Sequence, residues 1–475
     1  MKIFKFAVLV LLTMLTGQAV TFASPIPLRG IVEGFYGRTW TFDERADMMK
    51  FCRQHNLNAY IYAPKDDPYH REKWRTPYPT EKFNELKKLV EISKQNGVKF
   101  IFAISPGLDL NYKGKNSEAD FKALMRKFES MYQIGVRDFA IFFDDLKDEN
   151  GNHHEDGKEQ AKFLNRVQSE LQAAHKDIFP LITVPTEYFR LDMLKGNKIK
   201  SYTEDFAENL NKKIIVLYTG DGVVCDGITQ ESLAEVNKIF NREVGIWWNY
   251  PVNDYSLKAD GNRNVKLALG AIEKLPAEKV QAIFFNPMSQ AQMSKIALAT
   301  GADYANSPNN YDAEKSLDNA LKEQFGELAD DMKIFASHSQ HMENSWAKVG
   351  AADGREFNTA AYLVLNGVKN NHNVDFAPLE KIIDRMELAA VNLLDKLPQE
   401  ILAECRPQLE QFKRIAQADR LALSCLKSKT FDPRLKILRE EITKNEAVAM
   451  LSEQSALKFI DDVINLMNTP TKKRR

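Results

Sequence analysis

From residue 29 to about residue 290, two kinds of apolar pattern alternate along the chain. Short, nearly continuous apolar runs rich in β-branched and aromatic residues occur at RGIVEGF (29–35), NAYIYAP (58–64), VKFIFAIS (98–105), DFAIFFDD (138–145), PLITVP (180–185), KIIVLYTG (213–220), VGIWWN (244–249) and VQAIFFNP (280–287). Runs of that length without polar alternation predict strands covered on both faces. Between them the apolar positions take helical spacing. In TEKFNELKKLVEISKQNG, Phe83, Leu86, Leu89, Val90 and Ile92 fall largely on one stripe, and Gly97 supplies a stop. EDGKEQAKFLNRVQSELQAAHK opens on acids and closes on His and Lys, which suits the helix dipole. Eight strands alternating with helices over about 270 residues is the count and size of a (β/α)8 TIM barrel. A doubly wound open sheet is the structural alternative, but no glycine-rich phosphate fingerprint follows the first strand.

After about residue 308 the strand pattern stops and helical spacing takes over to about residue 468. FAPLEKIIDRMELAAVNLLDKL, with Leu379, Ile382, Ile383, Met386, Leu393 and Leu394, reads as a bundle helix, and SEQSALKFIDDVINLMN as the closing one. The expected organisation is therefore an α/β barrel over 24–307 and an all-α domain over 308–475, packed together because no low-complexity linker separates them. Residues 1–23 form a separate pattern. Lys2 and Lys5 precede the apolar run Phe6–Leu15, and small residues then suit cleavage after Ala23 or Ala19. This predicts a signal peptide too short to span a bilayer, hence an exported protein, periplasmic or secreted, with no stable membrane anchor. The closing TPTKKRR is expected to be a solvated end.

Charge excludes more than it suggests. Lys+Arg and Asp+Glu balance at 65 each in 475 residues, which gives no reason to expect a nucleic acid partner. Cys52, Cys225, Cys405 and Cys425 are scattered without a CxxC, so a zinc site is not expected. Export permits a disulfide, Cys405–Cys425 being nearest in sequence, but separate buried thiols are the simpler expectation.

In a barrel of this kind the site stands where the strands end. Those ends carry Glu33-Gly34-Phe35-Tyr36-Gly37, Ala63-Pro64-Lys65-Asp66-Asp67, Ser105-Pro106-Gly107, Asp144-Asp145, Thr186-Glu187-Tyr188, Thr219-Gly220-Asp221, Trp247-Trp248-Asn249 and Asn286-Pro287. Polar groups mixed with aromatic faces suit a sugar, whose hydroxyls take directed hydrogen bonds while its ring stacks. Adjacent Asp144 and Asp145 do not easily flank a scissile bond from two sides, as the two-carboxylate glycosidase scheme requires. Their adjacency fits better with a substrate-assisted reaction, in which the sugar's own 2-acetamido oxygen attacks C1. One acid would polarise the amide, and the other, with its pKa raised by its neighbour and by burial, would protonate the leaving oxygen. The same pair also suits a helix N-cap and first-turn acid, or a Mg2+ or Ca2+ site. His153-His154 is expected to lie in a solvated loop.

The motifs RGIVEGFYGRTW, YIYAPKDDPYHREKWR, FAISPGLD, FAIFFDDL, VPTEYF, YTGDGVV, IWWNYPVNDY and FFNPMSQA, in this order over roughly residues 28–300, resemble glycoside hydrolase family 84, the β-N-acetylglucosaminidases that include the O-GlcNAc hydrolases. The resemblance implies that Asp144 orients and polarises the acetamido group and that Asp145 is the general acid/base. It gives Gly34 a backbone carbonyl to a sugar hydroxyl and Lys65 the hydroxyls at the ring's far edge. Tyr188 would bond near the developing oxazoline, with Val223 beside it. Trp247 and Asn249 would form the acetamido wall and hold the leaving-group or ring oxygens, while Asp254 and Asn286 would take the outer hydroxyls. Each has a plainer reading: Lys65 as a rim cation paired with Asp66 or Asp67, Trp247 as core, Val223 as loop packing, Tyr188 as a half-buried tyrosine and Asn286 as a turn residue. Neither cofactor nor metal is implied. The implied partners are N-acetylglucosamine-bearing glycans or glycoproteins. Thr39 departs from the family's usual Pro. An endo-acting hyaluronan hydrolase and a non-catalytic glycan-binding barrel are the alternatives, and the helical domain could serve a homodimer or line the substrate groove.

Overall fold

The structure is a computed structural model that describes residues 24–147, 152–255, 263–276, 278–451 and 455–468. The leader expected over 1–23 and the basic end at 469–475 lie outside the described residues.

All eight apolar runs form strands: β1 (Leu28–Glu33), β2 (Ala59–Tyr62), β3 (Lys99–Ile104), β4 (Asp138–Phe142), β5 (Ile182–Val184), β6 (Ile215–Tyr218), β7 (Gly245–Trp248) and β8 (Ala282–Phe285). Each pairs in parallel with the next, and β8 closes on β1 through Leu28↔Ala282 to Ile31↔Phe285. Strand alternation sorts the side chains into two cores. Val32, Ile61, Ala103, Phe142, Val184, Leu217, Trp247 and Phe284 fill the barrel interior. Ile31, Tyr60, Phe102, Ile141, Trp248 and Phe285 point outward into the layer shared with the helices.

Local sequence sets the helix ends. Thr41 and Glu44 form a capping box on Phe42–Gln54, and Asp156 caps Gly157–Ala174 through the Glu159 N–H. Thr80–Gln95 buries Leu86, Leu89 and Val90, half-buries Phe83 and Ile92, and gives way to Gly97 at φ +68°.

Between β7 and β8 the expected alternation fails, because no helix occurs there among the described residues. Val265 to Gly270 are all buried instead, the apolar Val265, Leu267, Ala268 and Leu269 together with one charged member, Lys266. The run is stitched into the region after the barrel. Leu269 N donates to Ser339 O (2.8 Å), Met450 N and Gln408 Nε2 donate to Val265 O (2.9 and 3.1 Å), and Lys266 forms a buried ion pair with Asp353 (2.6 Å).

That region is helical over Ala313–Phe325, Ala329–Ser337, Arg355–Lys369, Ala377–Lys396, Gln399–Ser428, Arg434–Asn445 and Ala456–Asn468. Ala377–Lys396 buries Leu379, Ile382, Ile383, Met386 and Leu393 as a bundle helix should. It is not purely helical, however. Met342–Glu343 and Lys348–Val349 pair as a short antiparallel hairpin, whose turn is closed by Asn344 Oδ1 accepting from Trp346 N (2.9 Å) and Ala347 N (2.7 Å). Cys405 and Cys425 lie on the single helix Gln399–Ser428, about 30 Å apart at 1.5 Å per residue, and all four cysteines are free.

Candidate active site

A cavity of about 580 Å3 opens at the C-terminal ends of the strands. Gly34, Lys65, Asp144, Asp145, Tyr188, Val223, Trp247, Asn249, Asp254 and Asn286 all line it.

β4 ends at Phe142, two residues before the acids. Asp145 then takes a left-handed backbone (φ +57°), which only a few residue types adopt readily, Asp among them. That turn breaks the strand's alternation and brings both neighbouring carboxylates to the cavity. Asp144 lies deep and accepts from the Lys65 ammonium through Oδ2, while its buried Oδ1 has no protein partner. Asp145 is more open; its oxygens accept from Tyr36 OH (2.6 Å) and Tyr188 OH (3.0 Å).

Lys65 faces the acid pair and not its own neighbours. Asp66 accepts from Gly37 N (3.0 Å) and Asp67 from Tyr62 OH (2.6 Å), whereas Lys65 Nζ also lies 3.9 Å from Asp145. Burial lowers the pKa of this lysine, but the two carboxylates outweigh burial and hold it above the usual lysine range. Burial likewise pushes the Asp145 carboxyl up, yet Lys65, the Tyr36 and Tyr188 hydroxyls and Arg71 together hold it below the ordinary value. The expectation of a raised pKa at this acid is therefore reversed: two cations and two hydroxyl donors outweigh burial. Asp254 behaves oppositely. Burial raises it despite the Tyr36 N–H bond (2.7 Å) and the Arg263 charge.

The opposite wall is a chain of amides. Trp247 Nε1 and Asn286 Nδ2 both donate to Asn249 Oδ1 (2.8 and 2.9 Å), Asn249 Nδ2 donates to the Val223 carbonyl (2.8 Å), and Gly34 N donates to Asn286 Oδ1 (3.3 Å). Val223 thus contributes its backbone as well as its side chain. Of the two tryptophans only Trp247 faces inward, edge-on to Phe142 with centroids 5.4 Å apart. A Cβ at Gly34 would stand 2.3 Å from Trp247 Cζ2, so glycine is needed there for space.

Several contributors carry no role in the sequence reading. Tyr36 bridges Arg71 Nη1 (2.7 Å) to Asp145, and its place in EGFYG was its only sequence signal. Tyr255, Arg263 and Trp346 also line the cavity. Trp346 comes from the hairpin beyond the barrel, packs edge-on against Tyr255 (5.3 Å between centroids) and stays 54% exposed at the rim. Part of the region after the barrel thereby lines the groove, and no local pattern announces it. His153 is not solvated as expected: it is half-buried, with Nε2 3.2 Å from the buried Glu187. Among the described residues no group of three or more His, Cys, Asp or Glu side chains could hold a metal ion, and no helix is long and apolar enough to cross a membrane.

Comparison with known proteins adds an independent finding. A family model described as beta-N-acetylglucosaminidase matches residues 29–337, and one described as hyaluronidase post-catalytic domain-like matches 361–460. Protein O-GlcNAcase from Rattus norvegicus and from Mus musculus are each 31% identical over 292 residues, 60% of this chain. The chain spans 30% of the length of these curated relatives. Among solved structures, CpGH84B superposes with a TM-score of 0.82 at 36% identity, over 93% of this chain and 77% of its own. A mutant of the Thermobaculum terrenum O-GlcNAc hydrolase gives 0.74 at 29%, over 93% and 94%.

Proposed function

The chain belongs to glycoside hydrolase family 84, the β-N-acetylglucosaminidases, and from that premise we propose that it removes terminal β-linked N-acetylglucosamine as an exo-acting, retaining hydrolase. The observation that carries the mechanism is the buried Asp144 Oδ1, an acceptor with no protein partner beside an Oδ2 already bonded to Lys65. Leaving a buried carboxylate oxygen unsatisfied is costly, and an amide N–H from a sugar acetamido group would satisfy it. That bond aims the acetamido oxygen at C1 and gains strength as positive charge develops on the amide. The new O–C1 bond gives an N-protonated oxazoline, its N–H held by Asp144, as the C1–leaving-oxygen bond breaks and Asp145 gives its proton to the departing oxygen. Water then adds to C1 and gives its proton to Asp145 as the O–C1 bond of the oxazoline breaks and returns the acetamido group, so two inversions leave the configuration at C1 retained.

Asp145 must gain a proton before the first step. Sugar hydroxyls that engage Lys65 and a leaving oxygen that enters beside Tyr36 would weaken the groups holding it ionised. A cavity of about 580 Å3, within the range of small-ligand sites, is large enough to take a terminal sugar. The relatives whose names specify O-GlcNAc support glycoproteins bearing N-acetylglucosamine as the substrate class, and the signal-peptide pattern of residues 1–23 supports their being met after export.

The test is hydrolysis of aryl N-acetylglucosaminides by the full chain. Asp144→Asn and Asp145→Asn should each remove most activity, and Asp145→Asn should suffer least where the leaving group needs no proton. Survival of activity in both variants, or its loss with a chelator, overturns the mechanism. So does brisk turnover of a substrate whose acetamide is replaced by hydroxyl. Preference for hyaluronan fragments over terminal N-acetylglucosamine would overturn the exo assignment.

A further inference from the structure

Behind Tyr188 lies a run of charged groups that the mechanism leaves unused. Lys147, two residues past Asp145, donates to Asp192 Oδ2; Lys200 Nζ donates to Asp192 Oδ1 (2.8 Å) and lies 3.3 Å from Glu187 Oε1. His153 closes the run. The Glu155 N–H donates to its Nδ1 (3.3 Å), which makes Nε2 the protonated nitrogen, 3.2 Å from Glu187 Oε1. Glu187 Oε2 accepts from Thr203 Oγ1 (2.5 Å). Glu187 and Asp192 keep only 2% and 8% of their side-chain surface exposed. Carboxyl groups this deep are costly unless held, and each here has at least two partners. Glu155, Asp156, Lys195, Lys198 and Asp205 face the run across an adjoining cavity of about 680 Å3.

The connectivity is the point. Lys147 and His153 belong to the segment after β4 that carries Asp144 and Asp145, whereas Glu187 and Asp192 belong to the segment after β5 that carries Tyr188. Glu187 is the residue immediately before Tyr188, and the Lys147 ammonium lies 5.2 Å from the ring centroid of Phe189, the residue immediately after it.

We propose that Glu187 and Asp192 are positioning residues: with Lys147, Lys200 and His153 they lock the two segments together so that the Tyr188 hydroxyl stays in register with Asp145. The proposal rests on the reading of Asp145 as the proton donor. It assigns the pairs no direct contact with substrate; they act through Tyr188.

Glu187→Gln keeps the shape and the Thr203 bond but removes the charge. It should lower kcat/KM on the order of 10-fold for an aryl glycoside with a poor leaving group, with little change for one that needs no proton. Because the Tyr188 hydroxyl lowers the Asp145 pKa, its misalignment should also move the alkaline limb of kcat/KM to higher pH. Tyr188→Phe should produce the same shift, and the double variant should be no worse than Tyr188→Phe alone. Full additivity, or a loss of thermal stability with an unchanged pH profile, overturns the proposal. Should Glu187→Gln fail to fold, Lys147→Met severs the run at its half-buried end and must show the same non-additivity. An inactive wild-type chain would refute the functional reading instead, and an active one with an indifferent Glu187→Gln refutes only the positioning role.

Discussion

Gly34→Ala is the most severe test that one methyl group can give. No left-handed conformation is required at this glycine, so the backbone accepts alanine; the obstacle is the Trp247 ring, with Cζ2 at 2.3 Å and Cη2 at 2.6 Å from the new Cβ. Ordinary carbon contact lies near 3.5 Å, so the ring must retreat by roughly 1.2 Å. It cannot retreat freely. Trp247 Nε1 is bonded to Asn249 at 2.8 Å and the ring sits edge-on to Phe142 in the filled barrel interior. Overpacking of this kind costs about 1–3 kcal/mol of stability. The larger effect should fall on catalysis, because the displaced ring carries Asn249 and through it Asn286. A shift near 1 Å in groups that position a substrate costs on the order of 100-fold in kcat/KM. The assay pairs kcat/KM on an aryl N-acetylglucosaminide with a denaturation midpoint. Trp247→Phe removes the atoms that clash, so the double variant should recover part of the midpoint that Gly34→Ala loses, but not the activity. Gly34→Ala with kcat/KM within 2-fold of wild type would refute the reasoning, since about 0.4 kcal/mol cannot contain the displacement.

Two further outcomes follow from individual groups. Tyr36→Phe removes a donor from the ionised Asp145 and frees Arg71 from its bond, so the alkaline limb of kcat/KM should move to higher pH; a limb that stays put or moves down contradicts the Tyr36–Asp145 bond. Asp419 is fully buried within Gln399–Ser428, both its oxygens lack partners, and burial, with Glu387 adding to it, holds its pKa well above the ordinary value. The folded state therefore keeps a proton that the unfolded chain releases near pH 4, and stability should fall as pH rises from there towards the folded pKa, by at most about 1.4 kcal/mol per pH unit. Asp419→Asn should flatten that dependence in denaturant titrations at several pH values, and an unchanged slope would show that another group sets it.

Features set by local pattern were legible in the sequence, and those set by distant partners were not. Buried strands announce themselves by composition, so β1 to β8 were all readable, and with them the ring of loops that meets at one cavity. The seventh helix failed because Val265–Gly270 finds its cover on Ser339, Asp353, Gln408 and Met450, at least 69 residues away in sequence. Trp346 reaches the cavity from beyond the barrel, and its hairpin is too short to show a strand pattern. At Asp145 the sequence displays the repulsive neighbour, Asp144, while the groups that reverse its effect, Lys65, Tyr36 and Tyr188, arrive from three other loops. His153 was misjudged for the same reason: its partner Glu187 comes from the next segment.

The stitching of Val265–Gly270 into the helices also limits how this catalytic unit can be exchanged. A chain cut near residue 307 would keep eight paired strands but bare Val265, Leu267 and Leu269 to water and leave the Lys266 ammonium without its buried counter-ion. It would also lose the Trp346 edge of its own groove. The seam between the two regions is thus internal to the cooperative unit, and a chimera joined there would inherit a barrel with an open flank.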